Sequence, residues 1–332
     1  MADLKVIAEV AQGFEGKPEL ASLLVAAAAR AEANGVKFQL IYADEVATPD
    51  YQHYKLFKTL EMPDQAWLGL RQLAEQLRIE FYLDVCGGRS LKLAEKLSCA
   101  GVKIHSTDMA NLGLLQAVAT SSIPLVLLSA AACSDAELAE VLGLLEQKSV
   151  VLLQGFQGYP TPVEANHIAR IRQLKQLLGT RGRRLESVVG FADHAPADDP
   201  TRFLLPAAAL GAGALVIEKH LTLSKVMKFE DHEAALNPDE FAEFVVQMRA
   251  CFSSIGQGDT MHDSELDYRK KTRKHVVAAR DVAAGEIIEP GMIVLLRTSS
   301  TDAIYDARTV YGRRAKTKIE NGSAISDNVL DK

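Results

Sequence analysis

Over its first 255 residues the chain alternates strand-like and helix-like segments with a period of about 30, a rhythm that few folds other than a (β/α)8 barrel can absorb. Candidate strands run over 4–10, 35–41, 79–85, 101–106, 123–129, 148–154, 186–191 and 214–219. Their apolar, β-branched runs read as parallel strands buried on both faces. Between them, Leu20, Leu23, Leu24, Ala27 and Ala28 keep helical spacing until Asn34-Gly35 stops the helix. Ser134 with Glu137 and Thr161 with Glu164 read as capping boxes, the second with Pro162 at the first helical position. A last helix opens at Asn237-Pro238 and carries Phe241, Phe244, Val245, Met248 and Phe252 on the face expected to pack on the barrel. An open doubly wound sheet is the alternative, but it needs fewer strands and a Gly-rich first turn, which EVAQGFEG does not provide.

The pattern then changes. Residues 256–274 are polar and charged with no helical stripe, which predicts a linker, and the expected division is a barrel over 1–258, a linker over 259–274 and a small domain over 275–332. That small domain contains an echo: VAAGEIIEPGMI at 282–293 aligns without gaps to IENGSAISDNVL at 319–330, matching Val282 to Ile319, Gly285 to Gly322, Ile288 to Ile325 and Ile293 to Leu330. Two copies of one unit predict a compact, pseudo-symmetric, β-rich domain that binds or covers something.

Charge and composition remove several classes of function. A net charge of −6 with acids and bases interspersed offers no basic surface for nucleic acid. The short basic runs at 181–184 and 270–275 read as solvated segments. No apolar run reaches the eighteen or so residues of a membrane span, and the first residues lack a signal-peptide layout, so a cytoplasmic protein is expected. Cys86, Cys99, Cys133 and Cys251 show no CxxC spacing and read as reduced, packed thiols.

In a barrel, chemistry sits where strands end at their carboxyl side. Reading those ends in order gives Glu9; Lys37 and Gln39; Asp84; Lys103, Ser106 and Asp108; Ser129; Gln154, Gln157 and Tyr159; Asp193 and His194; and Glu218, Lys219 and His220. Lysines inside strands are expensive to bury alone, so Lys37 and Lys103 require either an anionic ligand or a carboxylate such as Glu9 or Asp84. His194 and His220 could each be satisfied core histidines. Their position at adjacent strand ends, each beside an acid, favours a divalent metal instead, Mn²⁺ or Zn²⁺ by the hardness of the donors. His53, His105, His167, His262 and His275 lack such company and read as surface or packing residues.

The ordered motifs IAE, VKFQ, KI-x-S, YPTP, G-F-x-D-H, EKH and DH, followed by a small C-terminal domain, resemble the N-acetylneuraminate (sialic acid) synthase family, which includes proteins named spore coat polysaccharide biosynthesis protein E. The resemblance implies a (β/α)8 (TIM) barrel with an antifreeze-like (SAF) domain, in a homodimer where that domain closes the partner's site. It further implies condensation of phosphoenolpyruvate with an N-acylated amino-sugar aldehyde, by C–O cleavage, to a nine-carbon 2-keto sugar acid and phosphate. By motif, His194 and His220 would bind the metal, Mn²⁺ first with Mg²⁺ or Co²⁺ as the other candidates. Lys37, Lys103, Ser106 and Ser129 would hold phosphoenolpyruvate; Gln39, Gln157, Tyr159 and Asp231 would face the sugar; and Arg297 would reach its acyl group from the partner. Asp108, Glu9 and Lys103 are the candidate catalytic groups, with Asp108 where the family places a glutamate to activate the attacking water.

Several positions differ from the family's pattern. Gln12–Gly16 replaces NHNG, Ala192 replaces a serine, Asp84 a threonine, Gln154-Gly155-Phe156 the triplet HCT, and Gln157 an asparagine. Two lost hydroxyls weaken a phosphate cradle, and an ionised Asp84 would repel phosphate unless Lys37 or Lys103 pairs with it. Two other readings therefore stand beside the synthase: a metal-dependent pyruvate aldolase on the same barrel, and a non-catalytic sugar-acid binding protein.

Overall fold

The computed structural model describes residues 3–179, 187–256, 258 and 260–331. Eight parallel strands close into a barrel in sequence order: β1 (Lys5–Ala11), β2 (Gly35–Gln39), β3 (Glu80–Asp84), β4 (Gly101–Ile104), β5 (Leu125–Ser129), β6 (Ser149–Gln154), β7 (Val188–Asp193) and β8 (Val216–His220). Each candidate strand is present within a few residues of its expected ends. The basic run at 181–184 lies outside the described residues.

Side chains on a strand alternate between faces, so each strand sends every second residue into the barrel. The lower interior is apolar: Ile7, Tyr82, Leu127, Val151, Leu153, Ala192 and Val216 form one cluster. Tyr82 needs space there, and the neighbouring strands open with glycine. A Cβ at Gly35 would sit 2.5 Å from the Tyr82 ring, and one at Gly101 would sit 3.1 Å from it and 2.8 Å from the Leu125 carbonyl oxygen. One step up each strand the same phase brings Glu9, Lys37, Asp84, Lys103 and Glu218 inward, a charged layer on an apolar floor.

Outside the strands, the helix Pro18–Arg30 buries Ala21, Leu24, Val25, Ala27 and Ala28, and Asn34 accepts a hydrogen bond from Val6 N at 2.9 Å. The Ser134–Glu137 capping box forms as its spacing requires. The helix Pro238–Ile255 opens with an Asn237–Glu240 box and buries Phe241, Phe244, Val245 and Met248. The Thr161–Glu164 box does not form. Thr161 Oγ1 donates to Gly158 O at 2.8 Å and accepts from Gln157 N at 3.2 Å, so its hydroxyl ties the loop after β6 and leaves only a short 3-10 turn over Val163–Asn166.

The chain divides into two compact units, residues 1–256 and 257–332. The segment expected as a linker without helical character contains a helix, Asp263–Thr272. It has no buried residue, which is why no apolar stripe announces it. Its signals are at its ends: Asp263 and Glu265 in the first turn and Arg269, Lys270 and Lys271 in the last oppose the helix dipole, and His262 Nδ1 accepts from Ser264 N.

In the second unit, β9 (His275–Ala278) pairs antiparallel with β10 (Ile293–Leu296). The echoed segments fold as counterparts. Val282 and Ile319 exchange backbone hydrogen bonds at 2.8 and 2.9 Å, Gly285 and Gly322 both take left-handed φ values of 84° and 81°, and 3-10 turns follow at Pro290–Met292 and Asp327–Val329. Val282, Ile288, Ile319, Ile325 and Leu330 all enter one small core.

Candidate active site

The charged layer of the barrel is a buried ion cluster. Lys37, with no exposed surface, contacts Glu9, lies 2.5 Å from Asp84 Oδ1 and 3.7 Å from Glu218 Oε2. Lys103 Nζ donates to Glu218 Oε1 at 2.6 Å. Strand register explains the grouping, since Glu9 stands opposite Lys37, Asp84 opposite Lys103, and Ile7, one inward step below Glu9, opposite Glu218.

Three carboxylates with two ammonium groups leave one negative charge too many for a dry interior, and Glu9 resolves it. Burial, against the pull of Lys37, pushes its carboxyl up to about 8, which makes it the one of the three that holds a proton most readily. Glu9 Oε1 also accepts a hydrogen bond from Ala11 N at 2.7 Å. Burial also works against ionisation of Asp84, but Lys37 and Lys103 hold it well below the ordinary carboxylate range. At Glu218 the same two lysines outweigh burial and bring the carboxyl down to about 2. Burial likewise opposes the charge on Lys37, and Asp84, Glu218 and Glu9 overcome it and raise its pKa. Asp84 is thus paired with Lys37, as its position beside a candidate anion site required.

Above this layer lies a cavity of about 210 Å³ lined by Gln39, Lys103, His105, Ser129, Phe156, Tyr159, Ala192, His194, His220 and Asp231. Seven candidate residues line it: Gln39, Lys103, Ser129, Tyr159, His194, His220 and Asp231. Gln39 Oε1 accepts from Gln12 Nε2 at 2.8 Å, so the segment in place of NHNG braces this wall. Asp231, at a left-handed φ of 62°, accepts from Gln12 N at 3.2 Å. Burial pushes its carboxyl up to about 6 despite that bond. Tyr159 Oη accepts from Ala234 N at 3.3 Å and holds the 229–234 loop, and burial together with Asp231 raises its pKa.

His194 and His220 meet with ring centroids 4.9 Å apart. Burial, then Lys103, brings the His194 ring down to about 3; burial, then His194, takes His220 well below its ordinary value. Both rings are neutral. His194 Nδ1 donates to Ala192 O at 2.8 Å, which leaves Nε2 as the free lone pair, and His220 Nδ1 is buried with no hydrogen-bond partner. Among the described residues no three His, Cys, Asp or Glu side chains converge as a ligand set. The pair therefore suits an ion that takes two imidazole nitrogens and completes its sphere with water or substrate oxygens.

The remaining candidates stand elsewhere. Lys37 lies beneath the cavity among its carboxylates, and Glu9 beside it. Ser106 and Asp108 form a 3-10 turn after β4, where Asp108 Oδ1 accepts from Asn111 Nδ2 at 3.0 Å. Gln157 is half-buried in the loop after β6. Arg297, in the second unit, is exposed and donates from Nε to Thr272 O at 3.2 Å. Cys86 is a packed thiol, pushed up to about 12 by burial, then Asp84.

Of the lining residues, Ala192, Asp231, Phe156 and His105 are not among the strand-end candidates, and the family pattern marks only the first three. Phe156 packs on His194 with ring centroids 4.9 Å apart. His105, expected as a surface or packing residue, faces the cavity with Nε2 2.7 Å from Asp84 Oδ2. A signal for it existed: Gly101, Lys103 and His105 share one period-two phase, and His105 keeps extended backbone at φ −74°, ψ 156°.

A model of the NeuB family matches residues 24–260, and a model of the SAF domain matches residues 273–330. The chain is 32% identical over 277 residues to the spore coat polysaccharide biosynthesis protein SpsE of Bacillus subtilis, covering 80% of this chain and 72% of that protein. It is 27% identical over 342 residues to an N,N'-diacetyllegionaminic acid synthase of Legionella pneumophila, covering 96% and 92%. Among solved structures, the N-acetylneuraminic acid (sialic acid) synthetase of Leptospira borgpetersenii superposes with a TM-score of 0.72 at 26% identity, over 80% of this chain and 91% of that one.

Proposed function

The chain belongs to the NeuB family, and from that premise we propose that it condenses phosphoenolpyruvate with an N-acylated amino-sugar aldehyde to give a nine-carbon 2-keto sugar acid and phosphate for surface polysaccharide biosynthesis. The observation that carries the proposal is the cavity wall, where Lys103 and Ser129 stand with two neutral imidazoles and Asp231 around one space.

Lys103 offers an ammonium group to an anion while Glu218 fixes its position, and Ser129 adds a hydroxyl donor. Gln39, Tyr159 and Asp231 lie on the same wall and suit the polyhydroxylated partner. His194 and His220 would hold the divalent ion, Mn²⁺ being the best match for two imidazoles and oxygen donors. Such an ion supplies Lewis-acid polarisation of an aldehyde oxygen. In a homodimer, the partner's C-terminal domain would bring Arg297 to the sugar's acyl group. The exposed Val294, Leu295 and Leu296 beside Arg297 support that domain as an interface.

The test is phosphate release by purified protein with Mn²⁺ and phosphoenolpyruvate, across a panel of N-acylated hexosamines. Release only when a particular sugar is present is the expected result, and no release with any sugar or divalent ion refutes the proposal. Two observations favour a second reading, a pyruvate aldolase: Lys37 is committed to carboxylates, and Ala192 lines the wall where the family has a hydroxyl. Turnover with pyruvate and no phosphate product would select it.

A further inference from the structure

The family resemblance implies proton transfer at the β4 end of the barrel by Asp108, yet among the described residues lining the cavity Asp108 is absent and His105 is present. Asp108 is engaged by Asn111 within its own turn. His105 sits two residues beyond Lys103 on the same inward phase, with 38% of its side chain exposed, and is fixed by Asp84 at 2.7 Å. Asp84 is itself fixed through its other oxygen by Lys37 at 2.5 Å. An ionised carboxylate accepts, so His105 Nε2 carries the hydrogen of that bond, and in the neutral ring Nδ1 is then the unprotonated nitrogen. A buried carboxylate that sets the tautomer and orientation of an imidazole, leaving the second nitrogen for the reaction, is a recurrent way to build a base. The two halves of this pair, Asp84 and His105, come from adjacent strands, with Asp84 opposite Lys103 in the register.

Resting on the function proposed above, we infer that His105 is the general base of the condensation, with Asp84 as its positioning residue: Nδ1 accepts a proton from the water whose oxygen bonds to C2 of phosphoenolpyruvate. The steps balance without an oxidant or reductant. C3 of phosphoenolpyruvate bonds to the aldehyde carbon, and the water oxygen bonds to C2 as one of its protons passes to Nδ1. His105 returns that proton to the former aldehyde oxygen, which becomes a hydroxyl. The bond from C2 to the phosphate oxygen then breaks with its electron pair on phosphate. Phosphate takes the second water proton as C2 becomes the ketone.

The experiment uses the full-length protein, the divalent ion and the sugar that supports wild-type phosphate release. His105→Ala is expected to lower kcat about 100-fold or more, with the KM for phosphoenolpyruvate within about threefold of wild type. Added imidazole is expected to restore part of the lost rate, which a merely structural role would not permit. Asp84→Asn is expected to lower kcat at nearly constant KM, in the same direction as His105→Ala. Should the alanine variant fail to fold, judged by its thermal melt, His105→Gln carries the same comparison. A kcat within about threefold of wild type, a loss confined to KM, or no response to imidazole overturns the role of His105 while leaving the condensation intact. Absence of wild-type turnover with every sugar refutes the condensation itself, and the inference with it.

Discussion

Removing the ammonium group of Lys37 by Lys37→Met should be among the most damaging single changes in the barrel. Lys37 has no exposed surface and contacts Glu9, Asp84 and Glu218, of which Asp84 and Glu218 are ionised. The variant would keep those two anions in a dry layer with only Lys103 to balance them. Breaking a buried pair from one side costs about 3–5 kcal/mol. For a unit spanning residues 1–256, each kcal/mol moves the melting temperature by about 2–4 °C, so the expected fall is roughly 6–20 °C. Circular dichroism melts at pH 7 read this directly. Lys37→Met with Asp84→Asn restores the count of one cation to one anion, and should recover a substantial part of the loss. The exposed Lys58, which bridges Asp44 and Glu61 in solvent, is the control, and Lys58→Met should barely move the melt. A Lys37→Met protein that melts within about 2 °C of wild type, or a double variant no better than the single one, would refute the buried-charge argument.

Further outcomes follow from the same layer and the cavity above it. Glu9 has a folded pKa of about 8 against an ordinary 4.5, so folding holds a proton there, and its contribution to stability must fall as pH rises from 4.5 through 8. Glu9→Gln should flatten that decline in urea titrations, and an unchanged pH profile would count against a protonated Glu9. Asp84 and Glu218 have depressed values, so their contribution is present above their ordinary pKa and is lost as pH falls through the folded values, which predicts acid unfolding that begins below about pH 4. His194→Ala and His220→Ala should each abolish Mn²⁺ binding measured by calorimetry, whereas binding retained in both would remove the imidazole pair as a metal site. Asp231→Ala should raise the KM for the amino sugar about 10–100-fold, the loss of one or two charge-assisted hydrogen bonds, and leave the KM for phosphoenolpyruvate nearly unchanged.

Much of the fold is legible in the sequence because the barrel's periods are strong. Strand ends placed Lys103, Ser129, His194 and His220 on one rim, and the echo between 282–293 and 319–330 anticipated the paired turns of the small domain. What escaped has physical causes. The helix Asp263–Thr272 buries nothing, so no stripe marked it, and only its end charges could have done so. The Thr161 box failed because its hydroxyl is used in the preceding loop. Lys37 and Lys103 look equivalent in VKF and VKI, yet Lys37 lies under the cavity and Lys103 beside it, a difference of depth that strand register alone sets. His105 shares its phase with Lys103, but its partner, Asp84, lies on another strand, and a single sequence does not show pairing across a register.

The central claim is that this cavity joins phosphoenolpyruvate to a sugar with cleavage between carbon and the bridging oxygen. Phosphoenolpyruvate labelled with ¹⁸O at that bridge tests it most directly, read by ³¹P NMR of the phosphate and mass spectrometry of the acid product. Condensation as proposed places the label in phosphate and none in the nine-carbon 2-keto acid. Label in a keto group, or free pyruvate with no sugar acid formed, would contradict it.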